Sequence, residues 1–149
     1  MSGFDQYIEN LELKISSLRK EVLYILWSAE RPLKAYEILA ILLEKKPNAT
    51  PPTVYRSLSF FLTLGIAHKI ESIQSYTLCC EPTKNFALEV LMVCHTCHNV
   101  VEIYDDVLRH LISNLAKKKS FQLHNHAIEL QGMCGVCQER CRLTPKIFS

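Results

Sequence analysis

The chain has 149 residues, of which 48% are hydrophobic, and a formal net charge of +2. This length accommodates one domain or two small ones with a buried core. The sequence holds no apolar run of about 18 residues and no basic and apolar leader, so we expect a cytoplasmic protein with no membrane span and no membrane partner. The small net charge does not indicate nucleic acid binding, which must be argued from local pattern.

Hydrophobic periodicity predicts three helices before residue 50. They span residues 4–14, 18–29 and 34–44. The second helix ends before Pro32, because proline cannot continue a helix. The second and third helices have wide apolar faces, which predict burial in a core. The aromatic residues assigned to this core are Tyr24, Trp27 and Tyr36.

The fourth predicted helix spans residues 50–64 and starts with two prolines. Proline costs little in a first turn, where its missing N–H group would have no partner. The apolar side chains of this helix share one face, whereas Tyr55 and Arg56 point to the other. Residues 66–71 and 76–79 follow as two short strands joined by a polar turn. Helix, turn, helix and hairpin together predict a winged helix-turn-helix.

The second helix of such a domain enters the DNA major groove with its N-terminal residues at base edges. Arginine bonds guanine O6 and N7, and a tyrosine ring packs on a thymine methyl group, so Arg56 and Tyr55 are candidates for base reading. The lysines of the candidate set are expected to contact phosphates. The full candidate set is Tyr55, Arg56, Thr53, Ser59, Lys34, Lys45, Lys46 and Lys69. The alternative is that Arg56 is an ordinary solvated charge and Tyr55 a packing residue.

Residues 81–86 have the composition of a hinge and separate two predicted domains, residues 1–80 and 87–149. The second domain is predicted to contain strands at 87–94, 100–104 and 121–130, and a helix at 105–119. Acids begin that helix and lysines end it, in agreement with the helix dipole. A small α/β unit with exposed edge strands is stabilised by a twofold partner, so we expect a homodimer.

Two CxxC pairs, Cys94/Cys97 and Cys134/Cys137, bracket this domain. Each pair brings two thiolates to one ion, and two pairs complete a tetrahedral sulfur set suited to zinc. Their separation is about twice that in a compact zinc ribbon, so a folded element must lie between them. The predicted fold class is therefore α+β, with an N-terminal winged helix and a C-terminal α/β domain clamped by a four-cysteine zinc site. Cys141 is interpreted as a spare thiol or an alternative ligand.

Residues 5–141 resemble the ferric uptake regulator family of metal-dependent repressors, and most of all its zinc uptake regulator branch. The most specific parts are residues 51–58, the wing from His68 to Cys79, and the paired CxxC motifs. The resemblance implies a homodimer through the C-terminal domain and a structural zinc on the four CxxC cysteines. It also implies a second, sensory metal at the hinge, and hence two zinc ions per protomer.

The zinc branch takes its sensory ligands from the wing, the hinge and the strand after the first CxxC pair. The resemblance implies His68, Cys79 and Glu102 for three of them, and a thiolate favours zinc over ferrous iron. The hinge histidine has no counterpart, because residues 80–93 contain no histidine. The candidates for the fourth ligand are Cys80, Glu81, Glu89, His95 and a water molecule. The ordinary alternatives are a surface histidine at position 68 and a buried apolar cysteine at position 79.

We therefore expect a zinc-responsive repressor that binds palindromic double-stranded operator DNA as a metal-loaded homodimer and controls zinc-uptake genes. One alternative is a family member that responds to another metal or to peroxide, and a second is a constitutive winged-helix protein with structural zinc only. A third is a thiol redox protein that uses Cys94 and Cys97, and His124 with His126 are candidates for a third metal site. The sequence has no phosphate loop, nucleophile elbow or HExxH motif, so we expect neither an enzyme nor a small-molecule substrate.

Overall fold

The computed structural model describes residues 2–79, 88–123 and 126–143. The chain divides into two compact units, Met1–Asn85 and Phe86–Ser149. The predicted hinge at 81–86 lies outside the described residues, so the bounds of the two predicted domains stay a prediction. No helix in the described ranges is both long enough and apolar enough to cross a bilayer.

The first unit begins with four helices. They are α1 (Gly3–Asn10), α2 (Ser17–Ser28), α3 (Ala35–Lys45) and α4 (Pro51–Thr63). Ser16 caps α2, since its side chain accepts a hydrogen bond from the Arg19 backbone N–H. Pro51 opens α4 directly after its N-cap, in agreement with the sequence prediction. Helix α1 is shorter than predicted because the chain turns at Glu12, where φ is 52°.

The wing of the first unit is an antiparallel hairpin of β1 (Ala67–Ile70) and β2 (Ser75–Leu78). A 3-10 turn and a left-handed residue, Gln74, connect the two strands. Leu33 and Tyr76 exchange backbone hydrogen bonds of 2.9 and 2.8 Å, which fix the wing to the start of α3. The hairpin is therefore attached to the helical part of the first unit by backbone hydrogen bonds.

Apolar side chains of α2, α3 and α4 fill the core of this unit. The largest fully buried ones are Phe61, Leu23, Ile38, Leu42 and Leu58. The prediction that Tyr24, Trp27 and Tyr36 belong to this core is wrong, since they are 39%, 40% and 68% exposed. Tyr24 and Trp27 instead pack on Phe4 of α1, with ring centroids 5.0 and 5.5 Å away.

The second unit is a three-stranded sheet with two helices. Its elements are β3 (Leu88–Cys94), β4 (Val100–Ile103), α5 (Asp106–Lys118), β5 (His126–Gly132) and α6 (Gly135–Leu143). The strand order is β4-β3-β5, with β4 antiparallel and β5 parallel to β3. The parallel register ends where Cys94 faces Gly132, so the two CxxC segments leave the sheet side by side. Strand β5 starts later than the predicted 121, and α6 is not among the predicted elements.

Helix α5 begins at acidic residues and ends in lysines, as its sequence predicts, and the structure shows that Asp105 caps it. The Asp105 carboxylate accepts hydrogen bonds from the backbone N–H groups of Val107 and Leu108, at 2.9 and 3.1 Å. We expect Asp105→Ala to destabilise the protein by about 1 kcal/mol, because these donors lose their partner. Asp105→Asn is the matched control, since asparagine caps a helix equally well. Urea unfolding measures both variants, and equal midpoints would contradict the capping role.

Candidate functional site

Four cysteines of the second unit lie together at one end of its sheet. Cys94 ends β3, Cys97 follows in the turn, Cys134 follows β5, and Cys137 lies in the first turn of α6. Their sulfur atoms all lie within 4.8 Å of one another, and those of Cys97 and Cys134 are 3.7 Å apart. A tetrahedral zinc with Zn–S bonds of about 2.3 Å holds its sulfurs about 3.8 Å apart. The cluster therefore fits a zinc ion.

Backbone hydrogen bonds around the first CxxC turn hold this cluster in shape. The His98 N–H donates to the Cys94 carbonyl at 2.8 Å, and the Cys94 N–H donates to the Asn99 carbonyl at 2.9 Å. The His95 N–H donates to the Gly132 carbonyl at 2.9 Å and thereby ties the turn to the end of β5. The His95 ring is exposed, next to the Thr96 hydroxyl at 3.2 Å, and is not part of the cluster.

The thiols of the cluster differ in pKa. The backbone N–H of Cys134 donates to the Cys94 sulfur at 3.4 Å, and this bond is the main cause that lowers the Cys94 pKa to about 5. Burial, followed by the neighbouring sulfurs, raises the Cys137 pKa to about 12. Four sulfurs this close cannot all ionise without a cation between them, because their charges repel. A bound zinc would supply that charge and hold all four as thiolates.

Two predicted sensory ligands lie together in the first unit. His68 is on β1 and is only 5% exposed, so the alternative of a surface histidine does not hold. Cys79 follows β2, is 7% exposed, and donates its backbone N–H to the Ile66 carbonyl at 2.7 Å. The ligand atoms of His68 and Cys79 lie within 4.8 Å of each other. One imidazole and one thiolate at this spacing are a donor pair suited to zinc.

The other candidate ligands belong to the second unit or lie outside the described residues. Glu102 is a half-buried residue of β4 that accepts a hydrogen bond from the Tyr104 hydroxyl, and Glu89 is a half-buried residue of β3. Cys141 is on α6, one turn after Cys137, and is not in the four-cysteine cluster. The remaining candidates, Cys80, Glu81, His124 and the side chain of His126, lie outside the described part of the chain.

Helix α4 presents its polar face to solvent at its N-terminal half. Tyr55 is 53% exposed, and Arg56 is exposed with its Nε donating to the Pro52 carbonyl at 3.3 Å. Ser59 is exposed on the same helix, and the Thr53 hydroxyl is hydrogen-bonded to that of Thr50 at 2.8 Å. The first two turns therefore leave an aromatic ring and a guanidinium accessible to a ligand.

The four candidate lysines all reach the surface of the first unit, and three of them have internal partners. The Nζ atoms of Lys45 and Lys69 lie 3.3 and 3.4 Å from the carboxylates of Glu21 and Glu71. The Lys46 Nζ donates to the Ser17 hydroxyl at 3.3 Å. Such exposed pairs contribute about 0–1 kcal/mol, so a phosphate can replace them at little cost. Lys34, which precedes α3, is exposed.

Sequence reasoning missed Tyr36 as a surface residue. It lies in the first turn of α3, two residues after Lys34, and at 68% it is more exposed than any other tyrosine of the described residues. The buried residues of this helix are Ala35, Ile38 and Leu42, and Tyr36 does not share their face. A helical wheel restricted to those three positions would have identified Tyr36 as exposed.

The sequence profile of the ferric uptake regulator family matches residues 10–131 of this chain. The chain belongs to the ferric uptake regulator family. The zinc uptake regulation protein of Escherichia coli K12 is 36% identical over 130 residues, which cover 85% of this chain and 74% of that protein. The ferric uptake regulation protein of Vibrio cholerae O395 is 30% identical over 139 residues, which cover 91% and 89%.

A family member of known structure has the same fold over nearly the whole chain. A zinc uptake regulator complexed with zinc and DNA matches with a TM-score of 0.86 and 31% identity, over 94% of this chain and 98% of that one. For a member of the ferric uptake regulator family, the all-sulfur donor set of the cluster favours zinc, because soft thiolates select zinc over harder ions.

Proposed function

We propose that this protein is a zinc-responsive transcriptional repressor that binds palindromic operator DNA as a homodimer and controls zinc-uptake genes. The observation that carries the proposal is the likeness, over 94% of the chain, to a zinc uptake regulator complexed with zinc and DNA. The protein is a regulator rather than an enzyme. It acts on chromosomal DNA, and we therefore assign it to the cytoplasm.

Zinc has two roles in this proposal, with two ions per protomer. The four-cysteine cluster holds a structural zinc, supported by sulfur spacing that suits a tetrahedral ion. The regulatory zinc takes His68 and Cys79 of the wing as ligands, together with Glu102. The support for this second site is the buried imidazole and thiol within 4.8 Å of each other, added to the family resemblance. One further ligand completes the set of four. The candidates for it are Glu89, a water molecule, Cys80 and Glu81.

The mechanism is a zinc-driven change in population. A ligand shifts a conformational equilibrium only by binding one state more tightly, and a shift from 1:99 to 99:1 needs about 10⁴-fold selectivity. A zinc that takes ligands from both the wing and the second unit binds more tightly to the conformation that brings these ligands together, because only there does it have its full ligand set. Zinc thereby acts as corepressor.

An exposed apolar surface on the second unit supports the homodimer. Helix α5 has an apolar stripe, yet none of its residues is buried in the single chain. The exposed apolar residues of this unit include Val107, Leu111, Leu115, Met92, Val101 and Leu130. An apolar surface of this kind marks a protein interface, and a twofold partner would cover it.

DNA recognition in this proposal uses the exposed start of α4. Arg56 reads guanine and Tyr55 packs on thymine, while the neighbouring surface lysines contact phosphates. Tyr36 joins this set as an additional contact, because it is exposed in the first turn of α3 beside Lys34. In a dimer, two copies of α4 reach successive major grooves of a palindrome.

The test is a zinc titration read out twice on one sample. Protein freed of loosely bound metal is titrated with buffered zinc, while zinc per protomer and anisotropy of a labelled operator duplex are recorded. We expect a second zinc per protomer whose uptake coincides with DNA binding. The absence of histidine from residues 80–93 favours the second candidate, a constitutive DNA-binding protein with structural zinc only. One zinc per protomer with zinc-independent DNA binding would establish that candidate instead.

Arg56→Ala tests base reading. We expect the variant to lose about 1–3 kcal/mol of discrimination between operator and scrambled duplex, because one bidentate contact to guanine disappears. Lys34→Ala is the contrasting variant, with an expected uniform loss on both duplexes and a shallower salt dependence. An equal loss on both duplexes for Arg56→Ala would refute the base-reading role.

A further inference from the structure

A cation–π contact joins the first turn of α2 to α4, the helix that is proposed to read DNA. The guanidinium carbon of Arg19 lies 3.9 Å from the centroid of the Phe60 ring. Phe60 is only half-buried and lies beside the buried face of α4. The buried residues of this helix are Val54, Ser57, Leu58 and Phe61. The Phe60 ring therefore offers a surface on which the Arg19 side chain is held.

The stacked guanidinium keeps its hydrogen-bonding edge open. A guanidinium stacks through its flat face, whereas its five N–H groups point outward in its own plane. Within the described ranges, these N–H groups donate to no acceptor and form no ion pair. The next two residues of α2 are paired, Lys20 with Asp5 at 3.4 Å and Glu21 with Lys45 at 3.3 Å. Arg19 is therefore a positioned positive charge with donors available to a ligand.

Arg19 lies beside the face of α4 that is proposed to read bases. Thr53, Arg56 and Phe60 follow one another at spacings of three and four positions, and residues at these spacings are neighbours along one side of a helix. Phe60 is thus one turn along α4 from Arg56. A helix in the major groove has a phosphate strand on each side of it. The contact with Phe60 therefore places Arg19 toward one of these strands.

The surface between the starts of α2 and α4 has the charge that a phosphate strand requires. A depression of about 250 Å³ lies there, and its lining includes Leu18 of α2 and Thr53 of α4. Lys45 and Lys46 also line it, and no carboxylate does so among the described residues. A basic surface therefore continues from the start of α4 to the first turn of α2, where Arg19 lies.

We propose that Arg19 binds a phosphate of the DNA backbone and that the Phe60 ring holds its guanidinium in position for this contact. The inference rests on the proposed DNA binding and adds one binding residue and one positioning residue to it. A guanidinium binds phosphate through two parallel N–H bonds at its edge, so the ring and the phosphate contact it at the same time. A side chain that is already held in place loses less conformational entropy on binding.

The contact also has a consequence for register. Phosphate contacts fix the orientation of a protein on the duplex, whereas base contacts read the sequence. Because Phe60 and Arg56 belong to the same helix, the phosphate contact of Arg19 is held at a set distance from the base-reading residue. The stack thereby connects the two kinds of contact within one protomer.

Arg19→Gln tests the phosphate contact in the full-length, zinc-loaded protein, by anisotropy of labelled duplexes over a salt series. We expect roughly tenfold weaker binding to operator and scrambled duplex alike, because a phosphate carries no sequence information. The slope of log K against log salt should become shallower by ~0.9 for each lost contact. Lys20→Gln is the matched control, since it removes one charge at the next position, where Lys20 is paired with Asp5. Its slope should equal that of the wild type.

Phe60→Leu tests the positioning role, since leucine is apolar but has no ring on which a guanidinium can stack. We expect weaker binding to both duplexes, and no further loss when Phe60→Leu is added to Arg19→Gln, because both changes remove the same contact. A purely structural role of Phe60 would instead give losses that add. Thermal melts of all variants show whether the first unit remains folded.

Four outcomes would contradict these expectations. A wild-type affinity and salt slope in Arg19→Gln would overturn the inference, as would an equal change of slope in Lys20→Gln. A loss confined to the operator would assign Arg19 to base reading and overturn the phosphate contact. Additive losses in the double variant would overturn the positioning role of Phe60. A wild type that binds neither duplex at any zinc concentration would overturn the proposed DNA binding itself.

Discussion

The Cys97→Ser variant is expected to lose the zinc of the four-cysteine cluster and, with it, the folded state of the second unit. Among the described residues of that unit, the buried hydrophobic ones are few, and two of them are zinc-site cysteines. They are Val90, Leu91, Val93, Cys94 and Cys137. Structural zinc contributes about 10–16 kcal/mol in small zinc domains at neutral pH, whereas whole domains are stable by about 5–15 kcal/mol. The loss therefore exceeds what so small a core can offset.

Zinc content by atomic emission and a circular dichroism melt measure this outcome. Cys141→Ser is the matched control, because it makes the same substitution on α6, one turn beyond the cluster. We expect the control to retain one tightly held zinc and the wild-type melting temperature. A Cys97→Ser protein that keeps its zinc through dialysis against chelator would contradict the structural role of the cluster.

The second large effect is expected for His68→Ala. The substitution removes the imidazole of the donor pair in the wing, so the loss of zinc affinity should exceed the ~10–100-fold that follows loss of a ligand's hydrogen-bond partner. The four-cysteine cluster lies in the other unit and should keep its zinc. The variant should therefore bind one zinc per protomer and fail to bind operator at any zinc concentration the wild type responds to.

The control for His68→Ala is His110→Ala, which removes an exposed histidine of α5. Operator anisotropy across a zinc-buffered series is compared among the wild type and the two variants. A His68→Ala protein that responds to zinc as the wild type does would exclude this residue as a regulatory ligand. Because His68 is buried, a thermal melt of the metal-depleted variant is needed to show that the first unit remains folded.

The sequence predicted best those helices that begin at a residue typical of helix N-termini, such as proline or aspartate. Helix α4 begins at Pro51 because proline suits a first turn, and α5 is capped by Asp105. The winged helix followed from the order of these elements. The four cysteines were found by their spacing alone, since a CxxC turn needs no tertiary information to suggest a metal site.

The missed features depend on contacts that no local pattern records. Helix α6 has one buried residue, Cys137, so hydrophobic periodicity has nothing to detect, and the helix starts inside the metal cluster. Strand β5 is displaced from its predicted start because its register is set by parallel pairing with β3. Phe121 was assigned to that strand because polar and apolar residues alternate there, but it lies before the first residue of β5 and is 65% exposed.

The aromatic residues were misassigned for a related reason. Large aromatic rings on an apolar helix predict burial, but α1 covers Tyr24 and Trp27 only in part. The proposed regulatory ligands carry no local sequence signature, because a histidine and a cysteine eleven positions apart do not suggest a metal site until a hairpin brings them together. Only the family resemblance identified His68 and Cys79.

The parallel pairing of β3 with β5 also bears on how the protein is made. The central strand of the second sheet, β3, is synthesised before β4, α5 and its parallel partner β5. The helices of the first unit make local contacts and can form during translation, whereas non-local pairing must wait for the last strand. We therefore expect nascent chains to complete their DNA-reading half first, and to take up the zinc of the four-cysteine cluster only after β5 and the second CxxC pair have been synthesised.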